Sequence, residues 1–147
     1  MQRAFSPGLV AFCLSVPTSL VHAAGAPPTP RAVVAKGLEW LVRQQAGDGH
    51  WRAEGGRPVT MTSLAGMALL MEGSTLHAGK YTVNLRRARN WLLKRAQPDG
   101  LIGDPQDRDE AGFYMEGHAH ALLFLSCAFP GEINPTKRAL LEDILVR

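Results

Sequence analysis

The sequence predicts an all-α fold built from repeating helix pairs, and three observations carry that expectation. Apolar residues recur at helical spacing between Val33 and Leu41, the stretch from Val59 to Met71 is apolar almost all the way round, and both patterns return about 50 residues later. One-sided and fully apolar helices that alternate at such a period make an α-solenoid or a closed double ring of helices.

Composition sets the scale. A chain of 147 residues with 46% hydrophobic and 20% charged content is one modest globular unit. Its 16 Lys and Arg are scattered singly or in pairs such as Arg86–Arg87, and the formal net charge is +3. No basic stripe interleaved with aromatics is present, so the charges read as a solvated face and no nucleic-acid partner is expected.

The N-terminus, MQRAFSPGLVAFCLSVPTSLVHAAGAPPTP, has Arg3 as a short positive region, an apolar run from about Leu9 to Val21, and small residues behind it. It resembles a secretory signal peptide over residues 1–23, with Val21 and Ala23 at the −3 and −1 positions of the cut. The expected location is therefore secreted or periplasmic. Pro7, Pro17 and the shortness of the run argue against a membrane-spanning helix, so no transmembrane segment is expected after signal removal. Phe12 before Cys13 disfavours lipidation, and Cys127 would be the single cysteine of the mature chain. Residues 24–30 then read as a Pro-rich linker.

The folded part is expected from Arg31. Val33, Val34, Gly37, Leu38, Trp40 and Leu41 share one face of a helix over about Arg31 to Gln45, with Lys36, Glu39 and Arg43 opposite. AGDGH breaks it, because Gly47 and Gly49 readily take positive φ and Asp48 can accept from nearby amides. A second helix, Val59 to Met71, has Thr60, Thr62 or Ser63 as start signals and must be buried on most sides. Methionines 61, 67, 71 and 115 are expected to fill the core.

The pair then returns. Ala88, Trp91 and Leu92 followed by QPDG match Gly37, Trp40 and Leu41 followed by QAGDG, with Trp40 to Trp91 and Gly49 to Gly100 both shifted by 51 positions. MTSLAGMALLM from Met61 has its counterpart in MEGHAHALLFL from Met115. KRALLEDIL from Lys137 opens a third copy with Leu140, Leu141, Ile144 and Leu145. The repeats are thus about 31–80, 81–132 and the start of a third at 133–147.

Lys36, Gly37, Trp40, Leu41, Gln45, Gly49 and Trp51, at their fixed spacing, resemble the QW motif of the terpene-cyclase and prenyltransferase superfamily. The resemblance covers about Arg31 to Arg147, including secreted bacterial proteins with squalene-cyclase-like repeats. It implies an α/α toroid, here a partial one of antiparallel helix pairs, in which inner helices line a cavity. It also implies a structural clasp: the glutamine amide bonds backbone at the start of the next helix and the tryptophan packs over it. In the second copy Gln97 falls one residue late and Ile102 replaces the closing tryptophan.

Catalytic signatures are incomplete. The family's Asp-x-Asp-Asp acid is approximated by Asp107, Asp109 and Glu110, but Arg108 between them favours the charged forms, and the polar turn GDPQDRDEAG suits helix capping. Glu116 is an alternative acid, although its place near a helix start suits the dipole. His118 and His120 lie about 200° apart on a helix and cannot share an ion, while His120 and Cys127 are about 10 Å apart along theirs. No metal and no cofactor are expected. His118, His120, Tyr114 and Phe124 could line a cavity or simply pack; His50 and His77 are expected to be exposed or capping.

The functional expectation is a secreted helical-repeat binding or scaffold module with an apolar small molecule or a protein as partner. The alternative is part of a terpenoid cyclase or prenyltransferase acting on an isoprenoid. Two and a fraction helix pairs cannot close a ring, so the chain is expected to be a fragment or to self-associate through its unclosed toroid edges.

Overall fold

A computed structural model describes residues 28–146, and all of its regular structure is helical. The expected signal peptide, residues 1–23, lies outside the described residues. In chain order the helices are α1 (Pro30–Arg43), α2 (Pro58–Met71), α3 (Thr82–Leu93), α4 (Tyr114–Ala128) and α5 (Pro135–Val146), with a short 3-10 turn, Phe129–Gly131, after α4.

Local chemistry explains the starts. Thr29 Oγ1 accepts from Ala32 N–H at 3.3 Å, and Pro30 occupies the first turn, where no amide partner is needed. For α2 the sequence expectation needs correcting. Thr60, Thr62 and Ser63 are not its start but lie buried inside it; Pro58 opens the helix behind Arg57, which takes φ 56°. Ser63 Oγ donates back to Val59 O at 2.7 Å, so its hydroxyl is satisfied within the helix.

The core is centred on α2. It packs most extensively against α4 and next against α3. Leu69, Leu85, Leu92, Ala121, Phe124 and Leu125 are buried there, and α5 adds Leu141 and Ile144. The closest approach uses Gly66, where an added Cβ would come within 2.6 Å of the Phe124 ring. Phe124 is therefore a packing residue of the α2–α4 contact.

α1 departs most from expectation. Only Leu38 is buried in it, and Val33, Val34 and Trp40, which share the apolar face, are exposed. Nothing lies within 4 Å of a Cβ built on Gly37, so this glycine does not serve a close helix approach. Periodicity identifies the face; it does not reveal whether a neighbour covers it. Met71 and Met115 are likewise exposed, leaving Met61 and Met67 as the methionines packed against the core.

Candidate functional site

The turn from Ala46 to Trp51 is built into a joint between α1, α2 and α3. Gly49, at φ 109°, faces the Arg87 backbone of α3, and a Cβ there would lie 2.6 Å from Arg87 O. Only glycine fits both the angle and the gap. Gln45 Nε2 donates to Gly49 O at 2.8 Å and to Asn84 O in the first turn of α3 at 3.0 Å, while Asn84 Nδ2 donates to Gln45 Oε1 at 2.7 Å. Arg87 donates to the carbonyls of Ala46 and Gly47.

Trp51 closes the joint. Its ring is buried, Nε1 donates to Leu41 O at 2.7 Å, and its amide donates to Thr62 Oγ1 at 3.0 Å. Asp48 accepts from Trp91 Nε1 at 3.1 Å and lies 2.6 Å from His50 Nδ1; the His50 ring stacks on Trp91 at 5.2 Å. Burial works against the charge of Asp48, but the bonds and charge of His50 outweigh it and hold the carboxyl below its ordinary range. Lys36 of the same motif is exposed and stands apart from the joint.

The backbone of this turn recurs 51 residues later. Ala46 N–H donates to His50 O at 2.8 Å and Gln97 N–H to Leu101 O at 2.7 Å; Gly49 N–H donates to Ala46 O and Gly100 N–H to Gln97 O, both at 3.0 Å. Asp48 and Asp99 each accept from the amide two residues on. Trp51 and Ile102 are both buried behind it. Gln97 matches Ala46 in this register, and its amide turns to Gly103 O, six residues on, whereas that of Gln45 reaches α3. The acceptor that Thr62 offers to Trp51 N–H is supplied to Ile102 N–H by His118 Nδ1, at 3.1 Å.

On the other side of the joint lies an apolar groove of about 790 Å³ between α1 and α2. Trp40, Leu41, Trp51, Met61, Leu64, Ala65 and Ala68 form its walls, with Gln44, His50 and Arg52 at its polar margin. Trp40 is 57% exposed and Leu64 43%, so the groove offers large apolar side chains to whatever enters.

The acidic turn is an ion-paired strap. Arg52 Nη2 meets Asp109 Oδ2 at 2.6 Å, and Arg95 Nη2 donates to Asp107 Oδ2 at 3.1 Å and Glu110 Oε1 at 2.8 Å. Glu110 is buried, and its Oε2 accepts from Asp104 N–H at 2.6 Å. Asp107 is held below the ordinary carboxylate range first by the Asp109 amide and then by Arg95. A carboxylate so held is charged and has no proton to donate. Arg57 N–H donates to Asp109 O at 2.8 Å, tying the strap to the start of α2. Glu116 is exposed in the first turn of α4, 4.0 Å from Arg57.

The remaining candidates separate. His118 Nδ1 accepts, which places the neutral ring's proton on Nε2, whereas His120 Nδ1 lies 2.8 Å from Glu116 O and donates. The two histidines serve different partners. His118 also borders a shallow pocket with Met115, Leu122 and Ile144. Tyr114 lines a small crevice with Arg57, Phe113 and Gly117, and Phe124 is fully buried. His77 and Cys127 are exposed. Among the described residues no three His, Cys, Asp or Glu side chains gather as a metal set, and no helix is long and apolar enough to cross a membrane.

Sequence reasoning missed the buried charges. Arg89 of α3 and Glu132 pair inside the protein, and Glu110 is buried under Arg95. The signal available was Arg89's place beside Ala88 on the buried side of α3, at the position that a shift of 51 matches to Leu38, the buried residue of α1. Fold and site together define, among the described residues, an all-α protein with a large apolar groove. No protein-family model, curated protein or solved structure matches the chain.

Proposed function

We propose that this chain is a secreted helical-repeat binding module, of the squalene-cyclase and prenyltransferase type, that takes an apolar ligand in the groove between α1 and α2. The groove carries the reading: its size suits a drug-sized or isoprenoid-sized molecule, and its walls are two tryptophans with aliphatic side chains. The polar groups at one margin can orient a ligand that carries a single polar end.

A partial α/α toroid is the architecture that goes with this proposal. It is supported by the turn bonds that recur at a shift of 51 residues and by α2 and α4, the two apolar helices, packing on each other in the middle. Binding is favoured over cyclisation because the Asp107–Glu110 turn is tied up by arginines. A protonating acid would need the opposite setting.

The test uses the purified chain with 1-anilinonaphthalene-8-sulfonate as fluorescent probe and farnesol as competitor. The expected outcome is saturable dye fluorescence, displaced by farnesol and reduced at least fivefold by Leu64→Gln. Fluorescence that Leu64→Gln leaves unchanged would remove the groove as the site. Turnover of squalene or a prenyl diphosphate that is lost in Asp107→Asn and Asp109→Asn would replace this reading with the enzymatic one.

A further inference from the structure

A second cleft, of about 520 Å³, lies between α3 and the start of α5, away from the residues that wall the apolar groove. Arg86, Arg89 and Asn90 form one wall, and Glu132, Asn134 and Lys137 are on the other. Three cations thus meet one carboxylate. Glu132 cannot balance them, because both of its oxygens are committed: Oε2 pairs with Arg89 Nη1, and Oε1 accepts from Asn134 N–H at 2.8 Å.

The cations have weak or incomplete partners. The Arg89 side chain is only 4% exposed, and its Nε is buried with no hydrogen-bond partner among the described residues. A buried donor of that kind is costly unless an acceptor reaches it. Lys137 Nζ donates to the neutral amide oxygen of Asn90 at 2.7 Å, and Arg86 Nε to Leu76 O at 2.6 Å. Burial pulls Lys137 below its ordinary range, and the positive fields of Arg89 and Lys94 pull it further. The guanidinium of Arg89 is lowered too, by burial and then by Arg86. Positive charge is concentrated here beyond what the surrounding residues neutralise.

We propose that this cleft is an anion-binding site for a phosphate group, held by Arg86, Arg89 and Lys137. The excess of two positive charges matches a phosphate dianion, and guanidinium with ammonium donors is the usual donor set for its oxygens. The cleft is larger than a bare phosphate, so the group can be inorganic phosphate or the head of a phosphomonoester.

The test is calorimetric titration of the full chain with inorganic phosphate and, separately, glycerol 3-phosphate, at ionic strength matched with sodium chloride. Saturable binding of either supports the site, and tighter binding of the ester identifies an organic phosphate as its ligand. Removing Arg89 would strand the buried Glu132, so the variants are Arg86→Gln and Lys137→Gln, which keep that pair. Each is expected to weaken binding about tenfold while leaving dye binding in the apolar groove unchanged. Heat that follows ionic strength alone, or affinity that both variants retain in full, overturns the proposal.

Discussion

Two glycines of similar appearance in the sequence have opposite settings in the fold. Gly37 lies in the exposed middle of α1 with open space around it, whereas Gly66 sits under the Phe124 ring. Gly37→Ala is expected to stabilise the protein by about 0.5–1 kcal/mol through reduced chain entropy. Gly66→Ala gains the same helical preference, but its methyl must displace a fully buried ring, and a net loss of about 1–3 kcal/mol is expected. Urea unfolding of the two variants measures both; equal signs would contradict the packing described for α2 and α4. Asp107 gives a pH prediction. Its folded-state pKa lies below the ordinary 3.8, so its contribution is present above that value and lost as pH falls through the lower, folded one. Asp107→Asn should therefore flatten the acid limb of the stability curve and leave its shape above pH 5 unchanged. An acid limb identical to that of the parent chain would show that the Asp109 amide and Arg95 do not favour the charged form.

At the scale of elements, α1 is held differently from the rest. Its own packing is slight, and the C-terminal end is secured by Trp51 Nε1 on Leu41 O and by the Gln45 bonds to α3. Amide hydrogen exchange should thus be fastest in the first half of α1 and slowest in α2 and α4. Trp51→Ala, which costs on the order of 3 kcal/mol in lost ring burial, should raise exchange at the end of α1 toward that of its beginning. Uniform protection along α1 would refute this description. The same helix shows what was legible in the sequence. The existence and order of all five helices, and the approximate ends of α1 and α2, follow from apolar spacing and from Gly and Pro, because these are local properties. Which face of α1 is covered depends on a neighbour, and that Thr62 serves Trp51 rather than a helix start depends on a contact 11 residues away. Neither is local. The joint around Gln45 was half legible: the fixed spacing singles out Gln45 and Trp51, and the QW resemblance implies a helix start as the glutamine's partner, but that partner is on α3, 39 residues on, and not on α2. The strap was half legible too: the acids were visible, while Arg52 and Arg95, which pair with them, lie elsewhere along the chain.

For the molecule as a whole, a modest net charge conceals a sharp internal arrangement. Lys and Arg scattered along the chain read as solvated, yet folding collects Arg86, Arg89 and Lys137 on one cleft and leaves the groove between α1 and α2 almost free of charge. Two opposite surfaces thus arise from one evenly mixed sequence. The turn that recurs after 51 residues has its own consequence. Its shape is carried by main-chain amides, an aspartate and a positive-φ glycine, while the residues behind it differ between the two places: Ile102 stands where Trp51 does, and His118 supplies what Thr62 supplies. A turn of this kind keeps its geometry through substitutions on either side of it, because the hydrogen-bond register that sets its shape belongs to the main chain.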